Sequence, residues 1–216
     1  MTDGGEVVEA TAREVSDSRL GGDRPAGEPK ATRRRTYYVA CDRIFTVMSF
    51  QTNVRRLPTK RPLLALVLSI LLVELVGASG AVFTAQGLGT WYDSLVRPAV
   101  APPSWVFGPV WTTLFALMGT GLWLVWRRAT DAPGAVRLAV VVFAVHFVFN
   151  LGWSAAFFGL QAIGLGLAVI AALWVLIVAT MWAFARVDRR AALLLGPYLL
   201  WVSFAAYLNY RFWVLN

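Results

Sequence analysis

Cysteine and histidine are almost missing from this 216-residue chain: Cys41 and His146 are the whole supply. A single cysteine cannot close an intrachain disulfide, which excludes a disulfide-stapled scaffold. A structural zinc site takes four ligands, and Cys41 with His146 cannot provide them. No metal site is expected, and haem held by two histidines of one subunit is excluded. Charge is also scarce. Charged residues make up 15% of the chain, against roughly 25% in a typical soluble domain. Phosphate-cradling GxxxxGK[ST] and GxGxxG patterns are absent, as is any Ser/His/Asp arrangement, so no conventional catalytic residue is assigned. What fills the chain instead is apolar: 58% hydrophobic residues, with ten Trp. That composition excludes disorder for the bulk of the sequence.

The few charges are unevenly placed. Residues 1–61 hold 12 of the 20 Lys and Arg and 8 of the 12 Asp and Glu. The rest of the chain is too apolar for a soluble surface. A hydrocarbon core about 30 Å thick needs roughly 20 helical residues at 1.5 Å rise each. Five segments meet this: 62–83, 105–126, 138–158, 160–184 and 191–210. Barrel strands are about half that length and alternate in polarity. The expected fold class is therefore all-α, an integral membrane bundle of five transmembrane helices. The connections are short apart from 84–104, and long loops often carry function.

Orientation follows from the flanking Lys and Arg. Ten of them (Arg55, Arg56, Lys60, Arg61, Arg127, Arg128, Arg137, Arg186, Arg189 and Arg190) fall on one side, against two, Arg97 and Arg211, on the other. The N-terminus is expected in the cytoplasm, with the C-terminus and the 84–104 loop outside. The net charge of +8 is thus mainly a topology signal, and nucleic acid is not an expected partner. The tail 1–61 reads as disordered, acidic and Gly-rich over 1–28 and basic over 30–61. Arg33–Arg35 could touch an anionic membrane surface, but a solvated tail is the plainer reading. Met48 offers an alternative start. The apolar patches of the tail are too short for a secretory signal.

Two regions concentrate the aromatic and polar side chains. The first runs from Trp91-Tyr92-Asp93 through Arg97-Pro98 to Pro102-Pro103-Ser104-Trp105, with Pro109 and Trp111 beyond. Paired prolines suit a sharp helix entry, Pro109 lies where it could kink the second helix, and Trp91 with Tyr92 could form a lid. An interfacial aromatic belt explains a Trp-Tyr pair, but not tryptophans one to two turns deeper. The second is His146, Asn150, Trp153, Ser154 and Phe157, spaced i, i+4, i+7, i+8 and i+11 on one helical face. Polar side chains in a span face the bundle interior or a cavity. His146 alone has the character of an interhelical hydrogen-bond donor, but its place on this face keeps it among the candidate ligand-binding residues. In the last span Trp201 and Ala205, at i and i+4, could line the same cavity. Glu74 stands alone in the first span and needs a partner or a proton. It lies beside Gly77-Ala78-Ser79-Gly80-Ala81, a patch suited to close helix packing.

These motifs, WYDSLVRPAVAPPSWVFGPVWTTLFALMG, NLGWSAAFFG and PYLLWVSFAAYLNYRFWVLN, resemble the tryptophan-rich sensory protein and translocator protein family over residues 62–216. The resemblance implies a five-helix membrane bundle, usually a homodimer. It implies binding of porphyrins such as protoporphyrin IX or haem, of synthetic isoquinoline carboxamides and benzodiazepines and, in animals, of cholesterol. It implies no required cofactor. Carried over, the family's pocket corresponds to Tyr92, Pro102, Trp111, Phe115, Asn150, Trp153, Ser154, Trp201 and Ala205, with Trp105 and His146 added from the patterning above. A sterol-type pattern is met by Val202, Tyr207 and Arg211, although such patterns match many helices by chance. Three functions stay open at this point: a receptor or regulator, a transporter of tetrapyrroles or lipids, and an enzyme of light-dependent porphyrin breakdown. Trp111 and Trp201 would be the electron donors of the last. Arg97 could meet a propionate.

Overall fold

Five long apolar helical segments, Pro62–Gly87, Ser104–Trp126, Pro133–Gly159, Ile163–Ala185 and Arg189–Leu215, make up most of the described part of the computed structural model. The structure describes residues 54, 56–89 and 91–216, and among them there is no strand. Readings of residues 1–53, including the acidic stretch, Arg33–Arg35 and Met48, lie outside the described residues. The last part of the basic stretch differs from the expected tail, because residues 56–60 are helical. The Arg61 amide bonds to the Leu57 carbonyl at 2.8 Å, and the Ala65 amide to the Arg61 carbonyl at 3.0 Å, so this turn leads directly into the first span.

The spans subdivide as follows. Helix α1 is Pro62–Ser79, and α2 is Ala81–Gly87. A single turn, α3, covers Trp91–Ser94, inside the segment expected to be an unstructured loop. A 3-10 turn at Ser104–Val106 opens α4, Phe107–Trp126. Helix α5 is Pro133–Ser154 and ends in a π turn, Ala155–Gly159. Helix α6 is Ile163–Ala185, α7 is Arg189–Leu193 and α8 is Gly196–Leu215. Prolines stand at the N-terminal positions of α1, α5 and α8, where a missing N–H costs nothing. Asp188 caps α7 by accepting from the Arg190 amide at 2.9 Å. Pro109 falls in the first turn of α4, just after the 3-10 turn. No regular α-helical carbonyl precedes it for its ring to strike, so no mid-helix kink is needed.

Helix α1 packs chiefly on α4, α5 on α6, and α6 on α8. Lipid is as apolar as leucine, so association rests on close packing and interhelical hydrogen bonds. Both are present. The Ser69 hydroxyl donates to the Gly119 carbonyl at 2.8 Å across the α1–α4 contact. Asn150 Nδ2 donates to the Tyr198 hydroxyl at 3.0 Å, joining α5 to α8. Trp153 Nε1 donates to Asn209 Oδ1 at 3.1 Å, and Asn209 Nδ2 donates to the Ile163 carbonyl at 2.9 Å, which ties α5, α8 and α6 together. Leu63, Leu72 and Leu75 of α1 are exposed on the opposite face, where a bilayer would cover them.

Candidate functional site

A cavity of about 350 Å³ opens between α1, α2, α4 and the C-terminal part of α5, beneath α3. Its walls follow helical spacing. Glu74, Gly77, Ala78 and Ala81 come from one face of the first span, and Phe107, Trp111 and Phe115 from one face of α4. Asn150, Trp153 and Ser154 come from α5, and Phe158 from the π turn. Gly77 is where α1 meets the aromatic wall: a Cβ there would stand 2.4 Å from the Phe115 ring. Any side chain at position 77 would drive Phe115 from its place.

Tyr92 closes the top. It is buried, with its ring 5.9 Å from that of Phe158 and 5.3 Å from that of Phe212. Trp91 meets Phe157 edge-on at 5.5 Å. The Arg97 guanidinium pairs with Asp93 and lies 5.0 Å above the Tyr92 ring. Burial pushes the Tyr92 phenol above its ordinary pKa; Arg97 opposes this shift and Asp93 adds to it. The segment is fastened from the far end of the chain. Asn216 Oδ1 accepts from the Val96 amide at 2.9 Å, and its Nδ2 donates to the Val96 carbonyl at 3.3 Å. Asn216→Ala should release this tie. Amide hydrogen exchange at Val96 and its neighbours is expected to accelerate about fivefold or more, the equivalent of roughly 1 kcal/mol, with little change in the helices.

Of the candidate ligand-binding residues named from the sequence, Tyr92, Trp111, Phe115, Asn150, Trp153 and Ser154 line this cavity. The others are placed elsewhere. His146 is fully buried in the core, with Phe143 at 4.9 Å and Tyr198 at 5.8 Å between ring centroids. The Thr180 hydroxyl donates to the Leu176 carbonyl at 2.8 Å, so at 3.1 Å it can only accept from His146 Nδ1. The histidine therefore cross-links α5 to α6. It sits one turn below Asn150, past the end of the cavity. Trp105 is 74% exposed, because the 3-10 turn points it outward. Pro102 is half-buried in the segment leading to that turn and does not reach the lining. Trp201 stacks edge-on against Phe107 at 5.9 Å, behind the wall. Of the two tryptophans named as electron donors, only Trp111 faces the cavity. Ala205 lines a second, much smaller space of about 20 Å³, which shares Tyr92, Phe107, Trp153 and Phe158 with the first. The sterol-type pattern does not form one surface: Val202 is buried inside the bundle, and Tyr207 is 49% exposed on another face of α8.

Sequence reasoning missed Phe107, Thr112, Phe158 and the α2 residues Thr84 and Ala81 as lining. Phe107 lies one turn before Trp111 and Thr112 one turn before Phe115, and helical spacing alone could have found them. Phe158 was open to the same reasoning, since it follows Asn150 and Ser154 at i+8 and i+4 on their face.

Residues 69–214 match the model of the TspO/MBR family. The chain belongs to that family. Relatives are similar over nearly their whole length. The tryptophan-rich protein TspO of Chlorobaculum tepidum is 48% identical over 160 residues, covering 72% of this chain and 98% of that protein. Protein CrtK of Rhodobacter capsulatus is 39% identical, covering 65% of this chain and 85% of its own. The translocator protein of Bos taurus is 35% identical, covering 66% and 85%. The family match and the five apolar spans make this an integral membrane protein of the TspO/MBR type.

Proposed function

We propose that this family member is a membrane receptor or regulator that binds a porphyrin, or a similar flat amphiphilic aromatic, in the cavity beneath Tyr92. The observation that carries the reading is the lining itself. Phe107, Trp111, Phe115, Trp153 and Phe158 offer aromatic surface, while Asn150 and Ser154 supply isolated polar points. This is the pattern of a small-molecule site: mostly apolar walls with a few convergent polar groups. The Asn150 amide nitrogen gives one hydrogen to Tyr198, which leaves its second hydrogen and its carbonyl oxygen for a ligand. Arg97 stands over Tyr92 at the loop end, where a propionate would emerge. Titration of the purified protein with protoporphyrin IX tests the reading. Quenching of tryptophan fluorescence with saturation at micromolar ligand supports it, and no binding at that concentration overturns it.

The same proposal places the N-terminus in the cytoplasm and the α3 segment outside, with the homodimer that the family resemblance implies. Arg127, Arg128, Arg137, Arg186, Arg189 and Arg190 all flank the ends of the spans opposite α3. Arg127 and Arg186 stack over Trp123 and Trp182 at 4.8 and 3.9 Å, as interfacial anchors would. In intact cells, a cysteine at Ser94 should react with an impermeant maleimide, and one at Thr130 should react only after lysis.

A further inference from the structure

Among the described residues, Glu74 is the only charged side chain lining the cavity, and it makes no ion pair there. It occupies the end farthest from Tyr92. It precedes Thr84, also in the lining, by ten residues, or about 15 Å of helix at 1.5 Å per residue. Nothing in the packing requires a carboxyl here. Its helical neighbours in the lining are Gly77 and Ala78, and the facing wall is the aromatic pair Trp111 and Phe115, 5.3 Å apart. An ionisable side chain inside a membrane span is costly and normally has a partner. A carboxylate beside an aromatic wall is the combination that recognises cationic nitrogen, since ring faces attract the cation and the acid neutralises it.

We propose that Glu74 is the counter-ion for a ligand that carries a cationic nitrogen on its aromatic body. This rests on the cavity being a ligand site and narrows its ligand class. The two ends of the cavity then differ in sign. An amine or quaternary ammonium group points inward to Glu74, and any anionic group points out toward Arg97. The energetic case is local. Glu74 lies midway along the span Pro62–Gly87, where a bilayer excludes bulk water, so a cation there is attracted more strongly than at a water-exposed site.

The test compares two probes of equal shape: 2-(trimethylammoniomethyl)naphthalene and its neutral carbon isostere, 2-neopentylnaphthalene. Affinities are read by tryptophan quenching in detergent for the wild type, Glu74→Gln and Glu74→Asp. The quantity used is the ratio of the two affinities within each protein. The ratio should favour the ammonium probe about tenfold more in the wild type than in Glu74→Gln. Glu74→Asp, which keeps the charge, should retain most of the preference, and this guards against a fold defect in the glutamine variant. Equal ratios in wild type and Glu74→Gln, with the isostere still bound, overturn the counter-ion assignment and leave the cavity reading standing. Failure of both probes and of protoporphyrin IX to bind overturns both.

Discussion

Replacing Gly119 with alanine is expected to destabilise the bundle by about 1–3 kcal/mol through overpacking, with a further ~1 kcal/mol from a weakened buried hydrogen bond. Gly119 is where α4 crosses α1 at backbone distance. A Cβ at this position would stand 2.6 Å from the Ile70 Cα and 3.1 Å from the Ser69 carbonyl oxygen. Neither is the flexible end of a side chain, so the helices themselves must separate. The Ser69 hydroxyl donates to the Gly119 carbonyl at 2.8 Å, and separation stretches that bond as well. Because α1 packs chiefly on α4, few other contacts hold it in place, and the cavity between these two helices would change shape with it. Thermal unfolding in detergent, followed by tryptophan fluorescence, should show the midpoint falling by several degrees. Gly134→Ala is the matched control. Its added methyl meets nothing within 4 Å, and alanine favours the helix. An unchanged midpoint for Gly119→Ala would mean that α1 and α4 do not meet at their backbones.

The five spans were legible because hydrocarbon thickness and helical rise leave little freedom: a run of about 20 uncharged residues has one stable form in lipid. The helix ends were less so. Pro133 starts α5 five residues before the expected span at 138, and α8 runs on to Leu215 past Arg211, because polar residues at a helix end can stay helical at the bilayer edge. Half of the cavity was visible as a face, since Asn150, Trp153 and Ser154 follow helical spacing. That spacing also recruited His146, and here periodicity misleads. A shared face continues along the whole helix, whereas the cavity stops near Asn150, and below it the same face packs against Thr180 and Tyr198. Phe158 was passed over although it follows Asn150 and Ser154 at i+8 and i+4 on that face. The Leu160 amide bonds to the Ala155 carbonyl at 2.8 Å in a π turn, which widens the helix and buries Phe157 and Phe158 together. Trp111 and Trp201 looked equivalent in sequence, and only packing separates them: Phe107 stands between Trp201 and the cavity.

That separation leads to the second large effect. Trp111→Ala is expected to weaken protoporphyrin IX binding by about 30-fold, the size of loss typical when a buried tryptophan anchor is truncated. Trp111 lines the cavity, with its ring 5.3 Å from Phe115 and 6.2 Å from Tyr198. These neighbours hold the indole in one orientation before any ligand arrives, so little entropy is lost on binding. Removing it takes away a ring face, worth about 0.5–1.5 kcal/mol as an aromatic pair, as well as the burial of the macrocycle against it. Trp201→Phe keeps the edge contact with Phe107 and should change the dissociation constant by less than about threefold, since it acts only through that wall. The measurement is a titration of both variants followed at the Soret band, because the tryptophan signal itself changes with the mutation. A larger loss for Trp201→Phe than for Trp111→Ala would place the porphyrin against α8, in the small space beside Ala205, and would overturn the assignment of the α1–α4 cavity as its site.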